Sequence, residues 1–586
     1  MEHNKSMSDK YLGFSPHLPF SIGWTLLLWL IPGLTASMEG AEKVIVERDG
    51  FRQSVTVEEL KNIADEGIIP ISLRSYAQSL TLLQKAKIRD ALKVNLPISS
   101  KQIEGFLSTE FGGRMVNLFA SATPAPDGNS QAAVVQALYE GSKAPEGLSI
   151  ISFIQAYPQS NLEIDLERIL RILGNFNAAF WQTQAFMAEI TPQLEVETPQ
   201  LDLPFDPTQP GEYEVQTTDY LWLDEGRDRF SAALRAEHEV LPTGDRLIPV
   251  TLYQSTGATV DKPLVVFSHG LGSVNYDLRY LAQHLASHGY VVAALEHPGS
   301  NETHIKEGIW QWLTDDVPII KPEEFLERPR DVSFVLDKLA TLNQSDEFLQ
   351  GKLATDNVLI VGYSLGGSTA LTVAGGELQI DYLRERCPKL TLVFSLGENA
   401  QCFAKDLPED SYQLRDERIK AAIALSPTTS LLFGDTGLEK IAVPTLIAAS
   451  SADKTTPALT EQVVAFERIL QPKWLAAFVS GTHLSVKDPS TTTDQITNPD
   501  TIYTGGEVVG DEAVEVRDYV KAITLAMAAQ LTDQGEEYQV FLTPTYAASA
   551  STARLPIRLV TEIPEEAKAI IEDILAEGDE PQTDLR

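Results

Sequence analysis

Cysteine is scarce in this chain, with 2 among 586 residues, Cys387 and Cys402. A framework of several disulfides is thereby excluded, and at most one bridge remains, Cys387 to Cys402 across a short loop; the alternative is two isolated thiols. Basic residues are also few. Against 82 Asp and Glu there are 46 Lys and Arg, and the formal charge of −36 would repel phosphate backbones and anionic bilayers. No nucleic-acid partner is expected on that ground, and the acidity reads as a well-solvated surface. Apolar runs long enough to span a bilayer are missing too. The stretch at 22–31 follows Lys5 and Lys10, is too short to cross comfortably, and precedes Pro32-Gly33-Leu34-Thr35-Ala36. Residues 1–36 therefore read as an export signal cleaved after Ala36, giving a periplasmic or secreted chain, with an uncleaved anchor as the alternative.

Histidine is the most informative scarcity. Of nine in the chain, none lies between His17 and His238, and past residue 364 there is only His483.

What is present centres on Val358-Leu359-Ile360-Val361-Gly362-Tyr363-Ser364-Leu365-Gly366-Gly367. Four consecutive apolar residues, three of them β-branched, predict a strand buried on both faces, and the small residues after Gly367 predict a helix. Gly-x-Ser-x-Gly between a strand and a helix is the nucleophile elbow, a tight turn that crowds the positions two before and two after the serine. Ser364 is the candidate nucleophile, and the Leu365 amide a candidate oxyanion donor. After a predicted strand at 264–267 comes Ser268-His269-Gly270-Leu271-Gly272, a loop that can bring the Leu271 amide opposite the elbow. His269 reads as a brace of that loop through hydrogen bonds.

A serine hydroxyl needs a base within reach and a carboxylate to hold that base in the right tautomer. In this architecture the order along the chain is serine, acid, histidine, so His483 is the base. Asp453, in the turn after a predicted strand at 445–449, is the candidate acid, with Asp435 as the alternative. No metal or organic cofactor is needed for this chemistry. His284 and His288 share helical spacing but lack a zinc motif, and read as helix-surface residues.

Strand and helix patterns alternate from residue 213 onward, which predicts a mostly parallel sheet with helices on both faces. The blocks Phe267-Ser268-His269-Gly270-Leu271-Gly272, Leu285-Ala286-Ser287-His288-Gly289-Tyr290-Val291-Val292-Ala293, Glu296-His297 and the elbow itself resemble the platelet-activating factor acetylhydrolase group of α/β-hydrolases and related dienelactone-hydrolase-like esterases. The resemblance covers about residues 215–535. It implies an α/β-hydrolase fold, Ser364 as nucleophile, His483 as base, the Leu271 and Leu365 amides as the oxyanion hole, and short-acyl or phospholipid-type esters as substrates. One departure is visible: the acetylhydrolase pattern carries its acid after the sixth strand, where this chain has Ser426, whereas Asp453 follows the seventh.

The expected domain order is a signal at 1–36, a small helical domain at 41–174, a linker rich in proline, threonine and acidic residues at 192–212, the hydrolase at 213–535, and an extension at 536–586 with a terminal helix and an acidic tail. The helical domain holds no self-contained catalytic set and resembles an N-terminal domain of unknown function fused to cyanobacterial α/β-hydrolases. An insertion near 302–322 contains Ile309-Trp310-Gln311-Trp312-Leu313, which could pack on the core, line an acyl pocket or make transient contact with a membrane surface. The expected function is a serine esterase, with a long-chain lipase or a non-catalytic binding protein on a hydrolase scaffold as alternatives.

Overall fold

The computed structural model describes residues 40–579, apart from 49–50, 79–88, 90–91, 94–98, 109, 127, 146, 167, 170–176, 192–200, 226, 228–244, 316–318, 388–393 and 493–504. The expected signal at 1–36 and the last residues of the acidic tail lie outside the described residues.

Ahead of the main body, β1 (Lys43–Arg48) and β2 (Phe51–Thr56) pair antiparallel, and β3 (Asn161–Asp165) pairs parallel with β1. The third strand, β3, falls within 41–174, where the sequence had suggested helix. The segment at 161–165, Asn-Leu-Glu-Ile-Asp, alternates polar and apolar residues, but five residues are too few to separate a strand from a helix by period. Thr56 caps the helix Val57–Glu66 in a reciprocal pair with Glu59. Helices Ser100–Ser108, Glu110–Ala122, Ser130–Gly141 and Ile150–Ala156 complete this module. Its helix Ser100–Ser108 packs against the helix Glu302–Asp315 of the main body.

The main body is built on a nine-stranded sheet. Its strands are β4 (Val215–Asp224), β5 (Arg246–Ser255), β6 (Pro263–Ser268), β7 (Val291–Leu295), β8 (Ala354–Tyr363), β11 (Ile419–Leu425), β12 (Thr445–Ser450), β13 (Lys473–Phe478) and β14 (Ile557–Val560); β9 (Glu377–Gln379) and β10 (Ser411–Gln413) form a separate pair. The spatial order is β14-β13-β12-β11-β8-β6-β7-β5-β4. From β13 through β7 neighbours run parallel, whereas β14, β5 and β4 join antiparallel at the two ends.

Alternation along each strand divides the core between two faces. Leu264, Val266, Val358 and Ile360 face the helices Glu324–Ser345 and Leu365–Val373, and Val265, Phe267, Leu359 and Val361 face the helices Arg279–Ser287 and Val514–Ala529. The protein has the α/β-hydrolase fold, a mostly parallel sheet covered on both sides.

Two segments outside the expected 213–535 body join it. The stretch after residue 535 supplies β14, the sheet's last strand, and the terminal helix, Glu565–Asp579. That helix packs against Ala178–Ile190, a helix lying just before the expected linker.

Candidate active site

The elbow is built by exclusion of side chains. A Cβ on Gly362 would lie 1.9 Å from the Gly366 carbonyl oxygen, and one on Gly366 would lie 2.0 Å from that of Ser268. Only glycine allows the end of β8, the turn and the end of β6 to meet this closely. Between them Ser364 is held at φ 55° and ψ −121°, at the mouth of the helix Leu365–Val373. A left-handed serine costs on the order of 1–3 kcal/mol, which the surrounding packing must offset. The Leu365 amide, at the first helical position, has no acceptor within its own helix.

Ser364 Oγ lies 3.1 Å from His483 Nε2, and His483 Nδ1 lies 2.7 Å from Asp453 Oδ2. All three side chains are buried, with Asp453 fully so. Because the carboxylate can only accept, Nδ1 carries the hydrogen, which leaves the Nε2 lone pair turned to the serine hydroxyl. The three candidate residues therefore meet in the geometry of a serine-histidine-acid relay. Asp435, the alternative acid, instead pairs with Arg468 at 2.9 Å and is largely exposed.

Asp453 sits in a turn its own side chain stabilises. Oδ1 accepts from the amides of Thr455 at 2.9 Å and Thr456 at 2.7 Å, and Oδ2 accepts from the Thr456 hydroxyl at 2.8 Å. With His483 that makes four donors, enough to hold an ionised carboxylate in a dry site. Thr456 Oγ1 is also 3.1 Å from His483 Nδ1, 3.1 Å from the Ser426 carbonyl and within reach of Gln462 Nε2. Sequence reading missed Thr456, although an aspartate followed two and three residues later by threonines is a recognisable side-chain turn. Ser426 itself, where the resemblance would put the acid, is buried at φ 43° and contributes its backbone.

The histidine loop is fixed from the far side. Val508 N donates to Thr482 Oγ1 at 2.9 Å, Ser485 Oγ donates to Val508 O at 2.8 Å, and the Leu484 amide donates to Glu507 at 3.2 Å. Burial pushes the Glu507 carboxyl above its usual range, against the opposing pull of Thr482 and His483. Glu507 was not foreseen, since nothing local marks a glutamate 24 positions past the histidine as its neighbour.

Opposite the elbow, a Cβ on Gly270 would stand 3.1 Å from the Ser364 Cβ, so the loop 269–272 lies directly against Ser364. Its polar groups are mostly spent on the protein. His269 Nδ1 donates to Gly270 O at 2.6 Å, Gly272 N donates to Ser300 O at 2.9 Å, and His269 O accepts from buried Arg328. The Leu271 amide takes part in none of these bonds; Leu271 directly follows Gly270, which lies against Ser364, and Leu365 directly follows Ser364 itself. His269 lies in the loop as a hydrogen-bonding brace; burial and the nearby Arg328 hold its imidazole far below the usual range, so it is neutral.

Of the other residues singled out, His284 is buried and its ring packs edge-on against His288, whose Nε2 lies 3.1 Å from Gln209 O. The segment 309–313 falls in the helix Glu302–Asp315, but its side chains lie outside the described residues. Ile305 of that helix stands over the loop 269–272, 3.5 Å from where a Gly272 Cβ would be. Helix Ala178–Ile190 was not expected at the site at all, yet Asn177 Nδ2 donates to Lys454 O at 2.8 Å and Gln184 Nε2 to Ser451 O at 2.9 Å, bracing the acid turn. The sulfurs of Cys387 and Cys402 lie at bonding distance, 1.99 Å.

Two family models match the chain. One, described as "Alpha/beta hydrolase of unknown function (DUF1400)", matches residues 40–165, and the other, described as "Platelet-activating factor acetylhydrolase, isoform II", matches residues 232–304. The second match contains the loop 269–272 and ends before Ser364. The platelet-activating factor acetylhydrolase of Cavia porcellus is 28% identical over 134 residues, 19% of this chain and 31% of the relative. That of Canis lupus familiaris is 26% identical over 137 residues and that of Bos taurus 28% over 138, with the same shares covered. The chain thus spans about a third, 31%, of the length of these relatives.

Proposed function

From the premise that the chain is an α/β-hydrolase of the platelet-activating factor acetylhydrolase-like group, we propose that it is a serine esterase that cleaves carboxylic esters through an acyl-enzyme. One observation carries this reading: the unbroken run of short contacts from Ser364 Oγ through His483 to fully buried Asp453.

In this mechanism Ser364 Oγ attacks the ester carbonyl carbon while its proton passes to His483 Nε2. The carbonyl oxygen becomes an oxyanion between the Leu271 and Leu365 amides, and Asp453 stabilises the imidazolium. Collapse of the tetrahedral intermediate breaks the bond to the alcohol, which leaves with the proton from Nε2. Water then repeats the sequence on the acyl-enzyme and releases the acid. Substrates are short-acyl or phospholipid-type esters, a choice supported by the acetylhydrolase relatives; the exported location and the Cys387 to Cys402 bridge belong to the same proposal.

A fluorophosphonate probe tests the chemistry. The wild type should label stoichiometrically, and Ser364→Ala should not. Failure of the wild type to label, or equal labelling of both, would leave a non-catalytic protein on a hydrolase scaffold. Nitrophenyl esters of increasing acyl length then test the substrate class, with rates expected to fall beyond short chains; a rise toward long chains would mark a lipase.

A further inference from the structure

A second chain of serine, histidine and aspartate runs behind the oxyanion loop. Ser268 Oγ lies 2.9 Å from His297 Nε2, and His297 Nδ1 lies 2.8 Å from Asp331 Oδ2. These contacts match the order of the first relay, but all three side chains are fully buried, so no ester carbonyl can reach Ser268. The groups around Asp331 are equally committed. It receives Arg246 Nε at 2.8 Å on Oδ1, Arg246 NH2 at 2.8 Å on Oδ2, and Arg227 at 2.5 Å on Oδ1.

The direction of the hydrogens follows from the acceptor at the end of the chain. Asp331 accepts, so His297 Nδ1 donates and Nε2 accepts the Ser268 hydroxyl proton. Burial and the positive charge of Arg328 lower the His297 imidazole to about 4, so the ring is neutral and keeps this one orientation near neutral pH. With its proton given to His297, Ser268 Oγ offers a lone pair to Arg328 NH2 at 3.3 Å. Arg328 in turn donates to His269 O, to Ser300 Oγ at 2.7 Å and to Thr369 Oγ1 at 3.0 Å. The His297 amide donates to His269 Nε2 at 2.9 Å, which leaves His269 Nδ1–H for Gly270 O.

Both ends of the loop are therefore tied to this assembly, the first through His269 and Gly270, the second through Gly272 and Ser300. The helix Glu324–Ser345 carries Asp331 and Arg328, β7 leads into His297, and β6 ends at Ser268. A desolvated, ion-paired aspartate is expensive to bury, and here its binding partners set the loop that faces the nucleophile.

We propose that Ser268, His297 and Asp331, with Arg328, are positioning residues that aim the Leu271 amide at the developing oxyanion, and that they form no second nucleophilic site. The proposal rests on the esterase reading. A misplacement of an oxyanion donor by about 1 Å costs on the order of a hundredfold in rate, while ground-state binding of the ester is little affected.

The test uses the full chain carrying Ser268→Ala, and separately His297→Asn, each titrated with a fluorophosphonate so that rates are expressed per reactive serine. Each variant should lose about 10- to 100-fold in kcat on a nitrophenyl ester, with KM within about twofold of wild type. Affinity for a trifluoromethyl ketone, which forms the oxyanion on Ser364, should fall by the same factor. A purely structural role would lower the melting temperature and the titrated fraction, yet leave kcat per titrated site and ketone affinity unchanged, and that result in both variants would overturn the proposal. Covalent labelling that persists in Ser364→Ala and disappears in a Ser364→Ala, Ser268→Ala double variant would overturn it in the other direction, by making Ser268 a nucleophile. A wild type with no titratable serine would fail the esterase reading itself, and this proposal with it.

Discussion

Each residue of the relay has a distinct consequence when changed, because each does a different physical task. Loss of His483 removes the proton acceptor, and His483→Ala should lose essentially all turnover. Asp453→Asn keeps the shape but presents a donor to Nδ1, favouring the wrong tautomer, and kcat should fall by about 10⁴. Thr456→Val is the finer probe. It deletes one of four donors to Asp453 and the hydroxyl 3.1 Å from His483 Nδ1 while conserving volume; kcat should fall about tenfold, Thr456→Ser should recover most of it, and the acid limb of the pH–rate profile should move in the valine variant alone. An unchanged profile in Thr456→Val would reduce Thr456 to a packing residue. The legibility of these side chains divides along the same line. Ser364 stands in a motif whose glycines the turn demands, and His483 is the one histidine after it, so both could be named from the chain. Glu507 and the set Ser268, His297 and Asp331 act through contacts between segments 23 to 34 positions apart, which no local period or composition marks, whereas Thr456 could have been found from its aspartate-threonine turn.

Among the elements, the elbow was readable because its apolar run and paired glycines leave few other conformations. Gly366→Ala would place a methyl 2.0 Å from the Ser268 carbonyl oxygen, a backbone atom that cannot swing away. Such overpacking should cost on the order of 3 kcal/mol or more and lower the melting temperature by several degrees, and a variant that melts like wild type would mean the turn is looser than described. Helix Ala178–Ile190 is the contrary case. Its apolar residues predict burial against something, but only the fold reveals that the surface includes the acid turn. Thr183 Oγ1 accepts the Leu459 amide at 3.1 Å in a fully buried setting. Thr183→Val should leave that amide unpaired and cost about 1–3 kcal/mol, measured by urea unfolding. Strands β3 and β14 were likewise hidden, since each is only five or four residues long and is defined by the partner it pairs with.

At the scale of the whole molecule, covalent and electrostatic terms act on the unfolded chain as much as on the folded one. A Cys387 to Cys402 bridge spans 15 positions, and closing a loop of that length stabilises by ~3 kcal/mol through the unfolded state; a Cys387→Ser, Cys402→Ser pair should lose that amount, with kcat per titrated site unchanged. Protons act more gradually. Burial lowers His284 to about 3 and His297 to about 4, and His269 lies well below its usual range, whereas an unfolded histidine titrates near 6.5. For each, the unfolded chain takes up a proton first as pH falls, so its contribution is complete above about 6.5 and is lost on the way down to its folded value. Glu461 works against them: burial and the neighbouring Glu398 raise it to about 8, so the folded chain holds that proton more tightly and gains stability as pH falls from about 8 toward the ordinary carboxyl range. Glu398 and Glu507 are raised in the same way and His288 is lowered, so the net slope from pH 6.5 to 5 is the balance of four histidines against three carboxyls. His284 isolates the histidine share, since it is buried on the helix Arg279–Ser287 beside His288, away from the relay. Removing its titration with His284→Leu should flatten the pH dependence by on the order of 2 kcal/mol between pH 6.5 and 5, one proton's worth over that interval. Paired urea titrations of wild type and His284→Leu at the two pH values measure the difference directly, and a gap that stays constant would mean that this imidazole is charged in the folded protein.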